Sequence, residues 1–300
     1  MAKLAIGTWA YMFGPYEKNP VPLDEVLATL GKLGFDGVEL AGFTPHAHPD
    51  DYPTAGDRAA LKQQIADSGL EIAGFAANLY ANQPASNDPA ERERYLDVFR
   101  TNVEFCADIG CPSIRIDTVS PPPLIHRATY GEAWGNLVGT WQRAADLAAD
   151  AGLMVVWEFE PGFMFNKPSE VAKLPDDVGR GNFTVLFDTC HAHMCSVVAA
   201  RQAEPKETLA GGAVEFAAML RGKIGHIHLI DSDETLHGDE TSTHAPFGTG
   251  VLDFDVLLPA ILKAGYTSPW WSIDLCFWPE AWEVTAQSKA FVDKLREKYG

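Results

Sequence analysis

Short apolar runs alternate with amphipathic stretches along the whole chain. The apolar runs fall at residues 4–9, 37–40, 71–75, 113–117, 154–158, 183–188, 224–230 and 269–274. They have the length and the β-branched or aromatic content of buried strands. Between them lie segments of helical period at 23–33, 58–68, 90–109, 134–151, 168–174, 206–221, 254–264 and 280–298. In the first of these Val26, Leu27, Leu30 and Leu33 share one face. Gly34, Gly69, Gly110, Gly152, Gly181, Gly222 and Gly265 follow helical patterns and precede apolar runs, as C-cap glycines do. Their spacing of roughly 30–45 residues suits one strand, one helix and the connecting loops.

Eight such units predict an α/β fold, a (β/α)8 TIM barrel occupying residues 1–300 as a single domain. A doubly wound sheet is the alternative, but no Gly-x-Gly-x-x-Gly turn follows the first strand. Residues 119–123 contain Pro121, Pro122 and Pro123 and are expected to form a loop. Residues 231–251 read as a second, long loop.

Four consecutive strands end in a charge or an imidazole. These are Val155-Val156-Trp157-Glu158, Val185-Leu186-Phe187-Asp188, His226-Ile227-His228-Leu229-Ile230 and Trp271-Ser272-Ile273-Asp274. Alternate strand residues share a face, so His226 and His228 point the same way, with His228 nearer the C-terminal end. In a barrel these ends are neighbours on the face that carries active sites. Three crowded carboxylates repel one another unless a cation lies between them. Any one alone reads equally as the N-cap of the next helix; the set of four points to a divalent metal. One imidazole among oxygens suits Mn, Mg or Co, and the donors also admit Zn.

Composition narrows the partners. The chain of 300 residues is 46% hydrophobic, enough for one sizeable core. With 23 basic and 41 acidic residues its net charge is −18, which disfavours nucleic acid and anionic lipid. No run of about 18 apolar residues exists, and the first residues lack the pattern of a signal peptide. The expectation is a cytoplasmic protein with no membrane partner. Five cysteines, Cys106, Cys111, Cys190, Cys195 and Cys276, do not form a disulfide framework or a zinc-finger spacing.

Further pieces extend the pattern: Gly37-Val38-Glu39-Leu40, Trp157-Glu158-Phe159-Glu160-Pro161-Gly162, Phe187-Asp188-Thr189-Cys190-His191, His226-Ile227-His228-Leu229-Ile230-Asp231, and Phe247-Gly248-Thr249-Gly250-Val251. In this order they resemble the xylose-isomerase-like sugar phosphate isomerase/epimerase superfamily over nearly the whole chain. The resemblance implies one divalent metal held by Glu158, Asp188, His228 and Asp274. It implies catalytic carboxylates among Glu158, Glu160 and Asp274. Members mostly carry Glu at the last position and often Glu where Thr249 stands. The resemblance makes His191 a substrate-binding or supporting residue. Asp231 and His244 from the long loop, with Glu39 and Arg115 from the opposite side, are further substrate-binding candidates. Trp9, Phe13, Phe163, Phe165, Phe277 and Trp278 are candidate pocket walls, and so many aromatics suggest a substrate larger than a triose.

The expected function is a metal-dependent isomerase or epimerase of a sugar, keto-sugar or polyol, acting through an enediolate. The alternative is a lyase on the same fold, either a dehydratase or an enzyme cleaving an oxidised-sugar glycoside. An endonuclease-like hydrolase fits the acidic charge poorly, and a non-catalytic binding barrel fits the four ligand types poorly. The partner is a small carbohydrate-like molecule, and a homo-oligomer is left open.

Overall fold

A computed structural model describes residues 2–118, 129–238 and 241–300. The proline-rich segment at 119–123, expected as a loop, lies outside the described residues. The barrel strands are β1 (Lys3–Ile6), β2 (Gly37–Gly42), β3 (Glu71–Ala77), β4 (Ser113–Ile116), β5 (Met154–Glu158), β6 (Phe183–Asp188) and β7 (Ile224–Leu229). A hairpin, β8 (Asp231–His237) and β9 (Thr241–Ala245), precedes the eighth barrel strand, β10 (Trp270–Ile273). Neighbours pair in parallel in the order β1-β10-β7-β6-β5-β4-β3-β2. A single parallel bridge between Gly7 and Glu39 closes the ring. Eight parallel strands with helices between them make the expected barrel.

The helices are α1 (Leu23–Leu33), α2 (Ala55–Asp67), α3 (Pro89–Ile109), α4 (Tyr130–Asp150), α5 (Pro168–Val178), α6 (Thr189–His193), α7 (Gly212–Met219), α8 (Phe254–Lys263) and α9 (Ala281–Tyr299). Local chemistry sets several of their ends. Thr54 with Asp57 and Thr129 with Glu132 form reciprocal capping boxes at α2 and α4. Gly34 and Gly110 end α1 and α3 in the left-handed conformation. The faces of α1 and α4 that carry Val26, Leu27, Leu30, Leu137 and Trp141 are buried in the common core. Trp141 there packs on Trp157 of β5 and Phe183 of β6, with centroids at 5.5 and 5.6 Å.

Three expectations need correction. The segment expected as a long loop after β7 holds the antiparallel hairpin β8–β9. Its alternating Thr235, Thr241 and Thr243 suit strands, but the acidic residues among them mask that pattern. The helix expected over 206–221 is α7, which begins at Gly212 and not near residue 206; before it, α6 follows β6 at once and runs into a π-turn over Met194–Val198. Asp188 caps α6 by accepting from the His191 N–H at 2.7 Å. Finally, Gly179, not Gly181, is the left-handed residue that ends α5.

β1 is also shorter than expected. The chain turns at Gly7 into a 3₁₀ turn over Thr8–Tyr11. A Cβ at Gly7 would sit 2.1 Å from the Trp9 ring, so only glycine lets that indole lie against the backbone. Trp9 is thereby held over the C-terminal end of the barrel.

Candidate metal centre and active-site cavity

The strand registers bring the predicted ligands to one level. Asp188 of β6 pairs with His228 of β7, and Ser272 of β10 pairs with His228 on its other side. Asp274 follows β10, and its N–H still donates to the Leu229 carbonyl at 3.2 Å. One donor atom from each of Glu158, Asp188, His228 and Asp274 lies within 4.8 Å of the other three. All four side chains are buried, none more than 4% exposed.

The donor set fits a divalent cation. His228 Nδ1 faces Glu158 Oε1 at 2.9 Å and Asp274 Oδ2 at 3.3 Å. Asp188 Oδ2 is buried and has no hydrogen-bond partner. An orphaned carboxylate oxygen beside two more carboxylates is costly without a cation. Burial pushes the Asp188 carboxyl up to about 7; His244 opposes that rise, while Asp274 and Glu158 add to it. Burial alone would lower the His228 imidazole, but Glu39 and Glu158 hold it well above its ordinary range. Protons thus take up charge where a metal would.

Behind the cluster stands Glu39 on β2. Its Oε2 meets His228 Nε2 at 3.1 Å and His226 Nε2 at 3.0 Å. His226 lies one layer deeper and also contacts Ser272 Oγ at 3.3 Å. Glu39, expected from sequence as a substrate contact, instead has Oε2 engaged by two imidazoles behind the cluster. It fixes which nitrogen of His228 faces the cluster.

Arg115 on β4 is likewise committed within the protein. Its Nε donates to Glu158 Oε2, its Nη2 to Glu160 Oε1 at 2.6 Å, and its Nη1 lies 3.2 Å from Asp117 Oδ2. The guanidinium lines the cavity with three carboxylates against it. Burial would raise Glu158, yet Arg115 and His228 hold it down to about 2. Glu160 is different. Burial lifts it to about 8; Arg115 opposes the rise, and Glu158 and Asp117 assist it. Its second oxygen accepts from the Thr241 hydroxyl at 2.9 Å.

Asp231 is a turn anchor, not a substrate ligand. Its two oxygens accept from the N–H groups of Ser232, Gly248, Gly250 and Leu252 at 2.9–3.1 Å. A Cβ at Gly250 would come 2.3 Å from the Ser232 carbonyl, so the turn needs glycine there. The anchor holds the turn that follows the β8–β9 hairpin. His244, on β9, reaches the cavity with its Nδ1 3.6 Å from Asp274 Oδ2, and neither ring nitrogen has a hydrogen-bond partner. Burial would lower His244, but Asp274 and Asp188 raise it to about 9. His191 packs on it at 4.9 Å, has Nδ1 2.9 Å from Ser242 Oγ, and has Nε2 3.9 Å from Glu160.

The cavity above the cluster holds about 350 Å³. Glu158, Glu160, Arg115, Asp274, Thr241 and His244 line one side. Trp9, Phe13, Phe43, Tyr80, Phe163 and Phe277 supply its aromatic lining. Two expected wall residues lie elsewhere. Phe165 is buried against Tyr130 and Trp134, and Trp278 donates its indole N–H to the His244 carbonyl at 2.6 Å. Cys276 lines the cavity, whereas Cys190 is buried, and burial raises both thiols.

Some contributors escaped sequence reading. Trp9 Nε1 donates to Asp274 Oδ1 at 2.6 Å. Thr241 pins Glu160, and Asp117 completes the Arg115 network. Asp117 had a usable signal, because Ser113-Ile114-Arg115-Ile116-Asp117 is another apolar strand ending in an acid. Thr241 had none, since its partner lies across the barrel mouth.

An eight-stranded barrel with a buried carboxylate and imidazole cluster under a cavity at its C-terminal face has the architecture of a barrel enzyme. Residues 27–293 match the xylose isomerase-like TIM barrel family, and the chain belongs to it. An inosose dehydratase of Erwinia tasmaniensis is 29% identical over 255 residues, covering 76% of each chain. A D-psicose 3-epimerase of Agrobacterium fabrum is 23% identical over 269 residues, covering 86% of this chain and 83% of that one. The crystal structure of a D-tagatose 3-epimerase-like protein superposes with a TM-score of 0.74 at 18% identity, over 99% of this chain and all of that one. Its likeness concerns the fold.

Proposed function

We propose that the chain is a divalent-metal-dependent enzyme that moves a proton beside the carbonyl of a keto-sugar or related polyol. The observation that carries this reading is the buried cluster of Glu158, Asp188, His228 and Asp274, with its unpartnered Asp188 oxygen. The relatives act on related molecules, as epimerases and as a dehydratase.

The four cluster residues hold the ion, Mn, Mg or Co by donor type, with Zn also accommodated. When bound, it supplies Lewis-acid stabilisation of negative charge developing on a carbonyl oxygen. The protein's own groups do the rest. Glu158 belongs to the cluster and, despite its burial, is held down to about 2 by Arg115 and His228, which makes it a weak base. Glu160 lines the cavity without belonging to the cluster, so it is the stronger candidate to take and return the proton. Arg115 orients both carboxylates. Thr241 holds Glu160 toward the space above the cluster, and the hairpin that carries it helps to exclude water.

A second reading, elimination of water, rests on Asp274. Its Oδ1 accepts from the Trp9 indole, and its Oδ2 faces His228 and His244. It is poorly placed as a second base on the far side of a substrate. A reaction needing one proton-transfer face suits this arrangement better than a two-base epimerisation.

The test is a panel of ketohexoses and inososes with the Mn-loaded protein in deuterium oxide. Exchange of a C–H with recovery of an isomer supports epimerisation, and loss of water supports elimination. Absence of exchange and of turnover across the panel, with metal bound, would overturn the reading.

A further inference from the structure

Building on that reading, we propose that the substrate is an uncharged keto-sugar carrying an aromatic group, not a phosphorylated or otherwise anionic one. The cavity has two unlike ends. Its floor is the cluster with Glu160 and Arg115. Its mouth is a belt of five rings, Phe13, Phe43, Tyr80, Phe163 and Phe277. Phe13 and Phe43 meet edge to face at 5.1 Å, and Phe43 meets Tyr80 at 6.1 Å. These three follow β1, β2 and β3 in turn, opposite the proposed metal ligands, while Phe163 and Phe277 follow β5 and β10.

The rings are only partly covered by the protein. Tyr80 keeps 45% of its surface exposed, and the four phenylalanines are half-buried. A contiguous exposed apolar patch at the rim of a cavity marks a ligand surface. Phe277 is held at a φ of 65°, a conformation costly for a side chain with a Cβ, and its ring stacks flat on His237 of the hairpin at 4.2 Å. Such strain is retained where the ring's position matters.

Charge points to the same ligand. Among the described residues lining the cavity, Arg115 is the sole guanidinium or ammonium group. Its contacts with Asp117, Glu158 and Glu160 already set three carboxylates against its single positive charge. The raised His244 imidazole faces Asp274 at 3.6 Å, so an anionic substituent beside it would have to compete with that carboxylate. A planar, neutral group buries the belt without that cost, in offset or edge-to-face contact.

The experiment uses one ketohexose in four forms: a benzyl ether, a methyl ether, an aminoethyl ether and a phosphate ester. Deuterium exchange is followed with the Mn-loaded protein. The benzyl ether is expected to exceed the methyl ether in kcat/KM by about tenfold or more, with the phosphate ester lowest. Phe43→Ala and Phe277→Ala should each bring the benzyl-to-methyl ratio toward one. Equal ratios in the wild type, or a preference for the phosphate or the amine, would overturn the proposal. If no form exchanges, the proton-transfer reading fails, and calorimetry decides the substrate class separately. Tighter binding of the benzyl than of the methyl ether supports it, and equal binding refutes it.

Discussion

The two walls of the cavity are built on opposite principles. The wall on β4–β7 and β10 consists of side chains on or next to strands, whose positions follow from sheet register. Many of its polar atoms are engaged by others, as where Arg115 spans three carboxylates and where Glu39, reaching over from β2, spans two imidazoles. The wall after β1–β3 consists of rings on connecting segments, partly exposed and touching one another at 5–6 Å. The first wall is interlocked, so a change at one residue is felt by several. The second is tied together only by ring contacts between neighbours, so a change there should be felt by the adjoining ring and not by the carboxylate cluster. A barrel can therefore hold its chemistry fixed while its loops select the substrate.

Four measurements separate the walls, in falling order of effect. His228→Ala or Asp188→Ala should lower metal affinity by more than about a hundredfold and abolish turnover. Circular dichroism should show the barrel intact, because the core lies beneath the site. Stoichiometric metal in either variant, by elemental analysis, would place the ion elsewhere. Glu160→Gln comes next. It keeps the shape and removes the proton carrier, so solvent-deuterium exchange should fall about 10²–10⁴-fold with the metal retained. Unchanged exchange would return the proton to Glu158.

Glu39→Gln should be milder, weakening the metal about 10–100-fold without altering selectivity between substrates. A change in selectivity instead would show that the two walls are coupled. The smallest effect is on pH. In the metal-free protein Asp188 is raised to about 7 and His228 well above its usual value, so both carry protons at pH 6. Metal binding must displace those protons. Affinity should therefore rise with pH through neutrality, by up to about tenfold per unit for each proton released. Titrations with Mn at pH 6 and 8 measure it, and a pH-independent affinity would contradict the assignment.

The interlocked wall was also the more legible one. An apolar strand that ends in a charge carries its own placement, because period-2 alternation and the barrel's polarity fix where the last side chain points. That is why Glu158, Asp188, His228 and Asp274 could be picked out together. Roles were harder than positions. Glu39 and Arg115 lie on strands as expected, but a sequence does not show that their charges are spent on neighbours. Asp231 looked like a substrate contact because the four backbone N–H groups that occupy it leave no mark in residue types. The hairpin was hidden by its acidic residues, and Thr241 with it. The belt was partly visible as aromatics after strands. Phe165 shows the limit, since the same pattern also places a ring in the core.

Trp9 has a use beyond holding Asp274. Of the chain's 8 tryptophans it is the one among the described residues that lines the cavity, and its ring centre lies 5.5 Å from that of His228. Its emission therefore originates beside the ion site. Paramagnetic Mn should quench that emission and diamagnetic Mg should leave it nearly intact, while Trp9→Phe should silence the signal. If the proposed ion binds there, this indole reports its occupancy optically, without any substrate.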